Sequence, residues 1–322
     1  MRAALYDRYG ASSEVLRVED VERPEPGPGE VRVKIEYSGV NPTDWKSRSG
    51  TTPRPIDGFQ IPHHDGAGVI DAVGDRVDAG RTGQRVWTWM AAAGRRWGTA
   101  AQWSVVPAAQ AVPLPDGISA ELGASLGVPA MTAHHCLLAD GPVEGKTVLV
   151  AGGAGAVGHF AIELAKFSGA RVITTVSGQE KAELARKAGA DLVVNYREPS
   201  ASEEIVSFGP VDRVIEVALG ANLQLDLAII KPGSQIVTYA AEPADPALPV
   251  RACMTANVTL RFVLLYGVPG AALERAARDI TAALTAGALT ELPVHRFGLD
   301  DIVAAQDAVQ GGAAGKVLVA PA

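Results

Sequence analysis

The sequence predicts an α/β protein built in two parts, and three observations carry that expectation. The first third of the chain is rich in β-formers broken by Gly and Pro. VRVKIEYSGV (31–40) alternates like a half-buried strand, GAGVIDAVG and GQRVWTW read as two more strands, and RPEPGPGE (23–30) is a connector. From about Ala120 the rhythm changes to apolar runs alternating with helical patterns: TVLVAG, HFAIELAKFSGA, RVITTVS, QEKAELARKAGA, DLVVNY, VDRVIEVA, LQLDLAIIKPG and SQIVTYA. Third, a cluster of Gly and Ala stands between the first of these runs and its helix. The first pattern predicts a small barrel or sandwich. The second predicts a doubly wound parallel sheet with helices on both faces, because strands running the same way need a crossover between them. Beyond residue 265, ALERAARDITAALTAG reads as a helix, LDDIVAAQDAVQGG as another whose leading acids suit a helix N-terminus, and GKVLVAP as a closing strand.

At 322 residues and 47% hydrophobic content the chain can bury two cores, and 5% aromatic content means that Ala, Val, Leu and Ile fill them. A net charge of −7 with interspersed signs leaves no basic footprint for nucleic acid. No apolar run reaches the ~18 residues of a membrane helix. The opening MRAALYDRYGASSEV lacks the apolar stretch of a secretory signal. Cys136 and Cys253 stand apart, with no C-x-x-C spacing, and read as small buried hydrophobes. The expectation is a cytoplasmic protein acting on a small molecule, with neither nucleic acid nor membrane as partner.

Gly153-Ala154-Gly155-Ala156-Val157-Gly158 spells G-x-G-x-x-G between a strand at 147–151 and a helix at 158–167, with a second strand at 171–176. Glycines there permit a tight turn and close packing, and the helix N-terminus offers N–H groups to a pyrophosphate. A tight turn with no ligand is the plain alternative. An NAD site carries Asp or Glu about 20 residues past the glycines, to accept from the ribose hydroxyls. Here TTVSGQEKAEL places Ser177 at the strand end, Lys181 follows one turn later, and Tyr196 comes after the next strand. A hydroxyl, an ammonium and a phenol suit a 2′-phosphate, so NADPH is the expected cofactor. Glu180 is a competing acid within the helix start, and a solvated helix residue is the plain alternative for Lys181.

The segment VLVAGGAGAVGHFAIELAKFSGARVITTVSGQEKAELARKAGADLVVNYRE closely resembles the cofactor segment of medium-chain dehydrogenases/reductases, and above all their zinc-free quinone oxidoreductase (zeta-crystallin-like) branch. The likeness extends through SGVNPTDWKSRSG, PHHDGAGVIDAVG, GASLGVPAMTAHHCL, KPGSQIV and the terminal GKVLVAP. It implies a GroES-like, partly open β-barrel made from both chain ends, residues 1–121 and 265–322, with a Rossmann domain inserted at 122–264. Zinc alcohol dehydrogenases of this superfamily carry Cys where this chain has Asn41, and His-Glu where it has His64-Asp65. GVPAMTA supplies no third ligand, and the region of the four-Cys lobe reads AAAGRRWGTAAQW. A catalytic zinc takes three protein ligands, so no metal is expected.

The resemblance implies hydride transfer from NADPH to a quinone or similar electron-poor acceptor, which needs no metal electrophile. Reduction of a conjugated enone or enoyl double bond is the rival activity, and an NADPH-binding sensor with little turnover is the rival outside enzymology. Asn41 and Thr132 match family residues near the cofactor, and the backbone of Val263, Leu264 and Leu265 matches the segment flanking its carboxamide. Tyr239 lies at a strand C-terminus, where the crevice of such sheets forms. By position Trp45, Arg48, His64, Trp89 and Tyr266 are candidates for the acceptor pocket, although Trp87 and Trp89 alternate on one strand and suit packing equally. His64 or Asp44 is placed to pass a proton, or else to make a structural hydrogen bond. TANVTLRFVLLYG (255–267) reads as an apolar edge strand that a second copy of the chain covers, giving a homodimer.

Overall fold

A computed structural model describes residues 1–242 and 244–321. The chain divides into two compact units: Met1–Val128 with Glu291–Ala322, and Pro129–Thr290. The division falls inside the helix Ala120–Leu138.

The first unit is organised on one long strand, Glu30–Val40. It pairs antiparallel with Asp65–Val73 along most of its length, with Trp103–Pro107 at its start and with Lys316–Ala320 at its end. The sheet continues through Arg85–Thr88 to Ala111–Pro113 on one side, and from Lys316–Ala320 to Val294–Gly298 on the other. Two register shifts in Glu30–Val40 bend the strand so that it serves several neighbours. Its alternation is legible in the core: Val31, Val33 and Ile35 pack with Ile70, Val86 and Val106. A second core joins Leu5, Tyr6 and Ile61 to Val317, Val319, Leu299 and Ile302, so the last strand of the chain closes a core that the first strand begins.

The second unit carries six parallel strands in the order Leu192–Asn195, Arg171–Val176, Thr147–Ala151, Val211–Glu216, Ile230–Thr238, Thr259–Phe262. The order reverses direction beside Thr147–Ala151, the strand that feeds the glycine turn, and such a reversal opens a crevice at the strands' carboxyl ends. Leu149, Ile173, Val194, Val214 and Ile236 form its core with Leu219 and Leu223 of the helix Leu219–Ile229.

Two boundaries differ from the sequence expectation. The return to the first unit comes at Glu291 and not at 265. The cause is the helix Gly270–Thr285, whose buried stripe of Leu273, Ala276, Ala277, Ile280, Ala283 and Leu284 packs beside the helix Ala156–Phe167 in the second unit. The edge strand is also shorter than 255–267. Residues before Thr259 belong to the helix Val250–Ala256 and its turn, and the chain turns again at Leu265–Gly267.

Candidate active site

In the first unit the helix Pro42–Ser49 begins at Asn41, whose N–H donates to Asp44 Oδ2 at 2.7 Å. The Asn41 amide is engaged at both ends: Nδ2 donates to Asp65 Oδ2 at 2.7 Å, and Oδ1 accepts from Lys316 Nζ at 2.8 Å. Lys316 also reaches Asp65 Oδ2 at 3.3 Å, and the Val128 N–H donates to Asp65 Oδ1 at 2.7 Å. Asn41, Asp65 and Lys316 are all buried. Burial works against both charges, raising the Asp65 carboxyl and lowering the Lys316 ammonium, while their attraction opposes each shift. Room for the carboxylate comes from Gly127, where a Cβ would lie 2.1 Å from Asp65 Oδ1.

Asp44 is buried beside this cluster. Loss of hydration raises its carboxyl to about 8; the Asn41 N–H, Lys316 and Arg54 oppose the rise, and the nearby Asp65 adds to it. It lines a narrow cavity with Tyr6, Ser47, Arg54, His63 and His64. His64 Nε2 receives Arg54 Nη1 at 3.3 Å, and the Met90 backbone also hydrogen-bonds this ring. Burial, first, and the Arg54 charge, second, hold His64 well below the usual imidazole range, so it is neutral. His63 is pushed down to about 3 by burial and by Lys316, with Ser38 Oγ 2.9 Å from its Nδ1.

Asn41, Asp44 and His64 are thus brought together. Arg48 is not with them. Its Nη1 donates to the Gly10 carbonyl at 2.6 Å and its Nε to Gln306 at 3.1 Å, which ties the helix Pro42–Ser49 to the C-terminal helix Ile302–Gln310. The guanidinium is therefore a buried structural strut and does not line the cavity that Asp44 faces. Trp89 is buried like Trp87, in keeping with packing, whereas Trp45 is half-buried with Lys46 Nζ 5.8 Å from its ring.

In the second unit the glycine turn joins Thr147–Ala151 to the helix Ala156–Phe167. A Cβ at Gly153 would lie 2.1 Å from Thr174 Oγ1, and one at Gly158 would lie 2.4 Å from the Gly152 carbonyl, so strand and helix meet closely through both. Ala154 is buried, and Gly155 is the extended residue before the helix that Ala156 and Val157 open. At the next strand's end, Val176 pairs with Asn195 and Tyr196 N–H donates to the Val176 carbonyl at 3.1 Å, which sets Ser177 and Tyr196 side by side. Lys181 is exposed on the helix Gln179–Lys187. The sequence reading passed over Arg197, a second cation, 5.9 Å from the Tyr196 ring.

Further along the same sheet, Tyr239 N–H donates to the Glu216 carbonyl and Val263 N–H to the Thr238 carbonyl. Burial raises the Tyr239 phenol. Val263 and Leu265 are buried and Leu264 is exposed, while Thr132 is buried in the helix Ala120–Leu138 and Tyr266 lies in the turn Leu265–Gly267. Glu216 Oε1 accepts from Val217 N–H at 2.7 Å and from Asn222 Nδ2 at 2.9 Å, and also from Ala218 N–H. Burial and then the Glu216 charge push Asp226 well above the carboxylate range, so the two acids hold one proton between them. Glu216, Asp226, Lys316 and Arg54 escaped the sequence reading. The available signal for the first three was a lone charge in an apolar run.

Two family models match the chain: the alcohol dehydrogenase GroES-like domain over residues 27–116, and zinc-binding dehydrogenase over residues 156–282. The quinone oxidoreductase of Lama guanicoe is 30% identical over 99% of this chain and 97% of its own length. The chain belongs to the quinone oxidoreductase family of medium-chain dehydrogenases/reductases. Among solved structures, a mycobacterial protein complexed with NADPH is 30% identical, with a TM-score of 0.85 over 100% of both chains. An NAD-dependent alcohol dehydrogenase is 25% identical, with a TM-score of 0.90 over 99% of both.

The metal named by one family model does not suit these residues. Among the described residues no group of three His, Cys, Asp or Glu is placed to hold an ion. The polar centre at Asn41 and Asp65 also already contains the Lys316 ammonium, which repels a second cation. Lys316→Met leaves a buried carboxylate without its cation and is expected to cost about 3–5 kcal/mol of stability. Adding Asp65→Asn should recover more than half of that loss, because the unpaired charge is then gone. Denaturant titration of both variants checks this, and a double variant no better than the single one would contradict it.

Proposed function

We propose that the chain is an NADPH-dependent reductase of quinones and similar electron-poor acceptors, working without a bound metal. The observation that carries this reading is Asp44, a buried carboxyl that retains its proton near neutral pH while facing a cavity. Reduction by two electrons leaves the acceptor needing a proton, and a neutral acid on a polar cavity of water size supplies one through a water held there. His64 serves this less well, because burial and Arg54 keep its ring unprotonated. NADPH, when bound, supplies the hydride. The chain's own residues bind and orient: the glycine turn admits a pyrophosphate close to backbone, and Ser177, Lys181 and Tyr196 receive the 2′-phosphate.

The NADPH complex of the mycobacterial relative supports this choice. The NAD-dependent dehydrogenase is the competing precedent. Against it stands Ser177, since a strand end without an acid lacks the carboxylate that accepts from both hydroxyls of an NAD ribose. The second reading, reduction of a conjugated double bond, draws on the same acid, which would protonate the carbon beside the carbonyl.

Lys181→Ala should raise the KM for NADPH about tenfold, the low end for a charge-assisted phosphate contact at an exposed site, with little effect on NADH. Steady-state titrations with one quinone, chelator present, measure both. A wild type that favours NADH, or equal losses with the two cofactors, would sink the assignment.

Asp44→Asn keeps an oxygen to accept the Asn41 N–H but has no acidic proton. Its kcat should fall by roughly 10²–10⁴. In the wild type the rate should decline as pH rises through about 8, because the donor is then ionised. A flat profile across that range, with the variant at full rate, would remove Asp44 from the chemistry.

Among the described residues the edge strand Thr259–Phe262 pairs on one side only, and Phe262 and Leu264 are 67% and 70% exposed. Pairing of two such strands about a two-fold axis covers both, so the protein is expected to sediment as a homodimer and Phe262→Glu to weaken it. A stable wild-type monomer at micromolar concentration would contradict this.

A further inference from the structure

The cavity that Asp44 faces is small and polar. Its open volume is ≈ 20 Å³, room for one or two water-sized atoms and not for a ring. Tyr6, Asp44, Ser47, Arg54, Gln60 and His64 contribute its polar wall. Three features of that wall point to one kind of guest. Arg54 brings a guanidinium, a planar cation with a fork of N–H donors. It is steadied by His64 Nε2, a neutral acceptor that orients the guanidinium without cancelling its charge. Ser47 is buried and lines the same cavity, and its hydroxyl has no hydrogen-bond partner among the described residues. The acid opposite, Asp44, is uncharged near neutral pH. A cation, an unused hydroxyl donor and a neutral acid around space for two oxygens match a carboxylate.

We propose that the acceptor of this enzyme carries a carboxylate, and that Arg54, with Ser47, is the residue that holds it. The inference rests on the reductase reading above and narrows it from electron-poor acceptors in general to anionic ones. Chemistry and recognition then share one wall. The carboxylate docks at Arg54, and the carbon needing a proton lies toward Asp44. An anion beside Asp44 also holds that acid more firmly in its protonated, donating form. For a carboxylated enone the step balances as hydride from NADPH to one alkene carbon and a proton from Asp44 to the carbon next to the ketone. Solvent then reprotonates Asp44, leaving the saturated keto acid and NADP⁺.

The test uses a matched pair of enones, 4-oxo-2-pentenoate and 3-penten-2-one, which differ by a carboxylate in place of a methyl group. Wild-type protein should reduce the acid with a kcat/KM at least tenfold above that of the neutral ketone. Arg54→Gln should lower this ratio by ten- to a hundredfold, and Arg54→Lys should restore part of it. A ratio near one in the wild type, or a ratio unmoved by Arg54→Gln, overturns the proposal. Binding is read separately from turnover with 4-oxopentanoate, the unreactive product, titrated calorimetrically into protein saturated with NADP⁺. Arg54-dependent binding of 4-oxopentanoate without reduction of any acceptor leaves the anion site standing and defeats the reductase reading. Reduction of the neutral ketone and of quinones without binding of 4-oxopentanoate does the reverse.

Discussion

The first unit depends on a charge pair kept out of water. Lys316 and Asp65 lie on strands that flank Glu30–Val40, and Asn41, just past the end of that strand, bridges them through its amide. A buried pair of this kind adds little net stability, because desolvation consumes most of the attraction. What it adds is direction. An amide with oxygen on an ammonium and nitrogen on a carboxylate has one orientation and not its flipped alternative. The helix that starts at Asn41 is thereby anchored at its first residue, and Asp44 is carried on its first turn.

The same pair explains how a carboxyl remains acidic in function without becoming an anion. Asp44 sits close enough to Asp65 for repulsion and close enough to Lys316 and Arg54 for attraction, so these fields largely offset and burial decides. A metal at this centre would tip that balance by adding positive charge and drawing the proton off Asp44. The internal ammonium pulls in the same direction, but it is paired with Asp65 and does not outweigh burial.

The fold was legible in the sequence because it rests on periodicity. Alternation in VRVKIEYSGV and the strand–helix rhythm after Ala120 both report one-sided burial, which a linear pattern records. The glycine turn was legible for a different reason: close approach of backbone leaves few residue choices. The elements misjudged are those whose placement is decided by a distant partner. The helix Gly270–Thr285 has an apolar stripe that fits either unit, and contact with Ala156–Phe167 and the pairing of Asp279 with His134 assign it. Arg48 falls beside candidate site residues in the sequence, yet its donors are consumed by Gly10 and Gln306. Lys316 stands 251 positions from the carboxylate it neutralises, a separation no local pattern spans.

That separation has a consequence for how the protein is made. Synthesis runs from the N-terminus, and domains generally fold as units as they emerge. The second unit, Pro129–Thr290, is complete well before the chain ends and can fold while synthesis continues. The first unit, although begun earlier, waits for the final strand, Lys316–Ala320, to take its place beside Glu30–Val40. Until then Asp65 must stay hydrated or take up a proton, and the strand edge that receives Lys316–Ala320 is open. The part of the protein translated first is therefore the part finished last, and a ribosome that stops before Lys316 releases a chain whose later-made unit has all its strands and whose first-made unit lacks one.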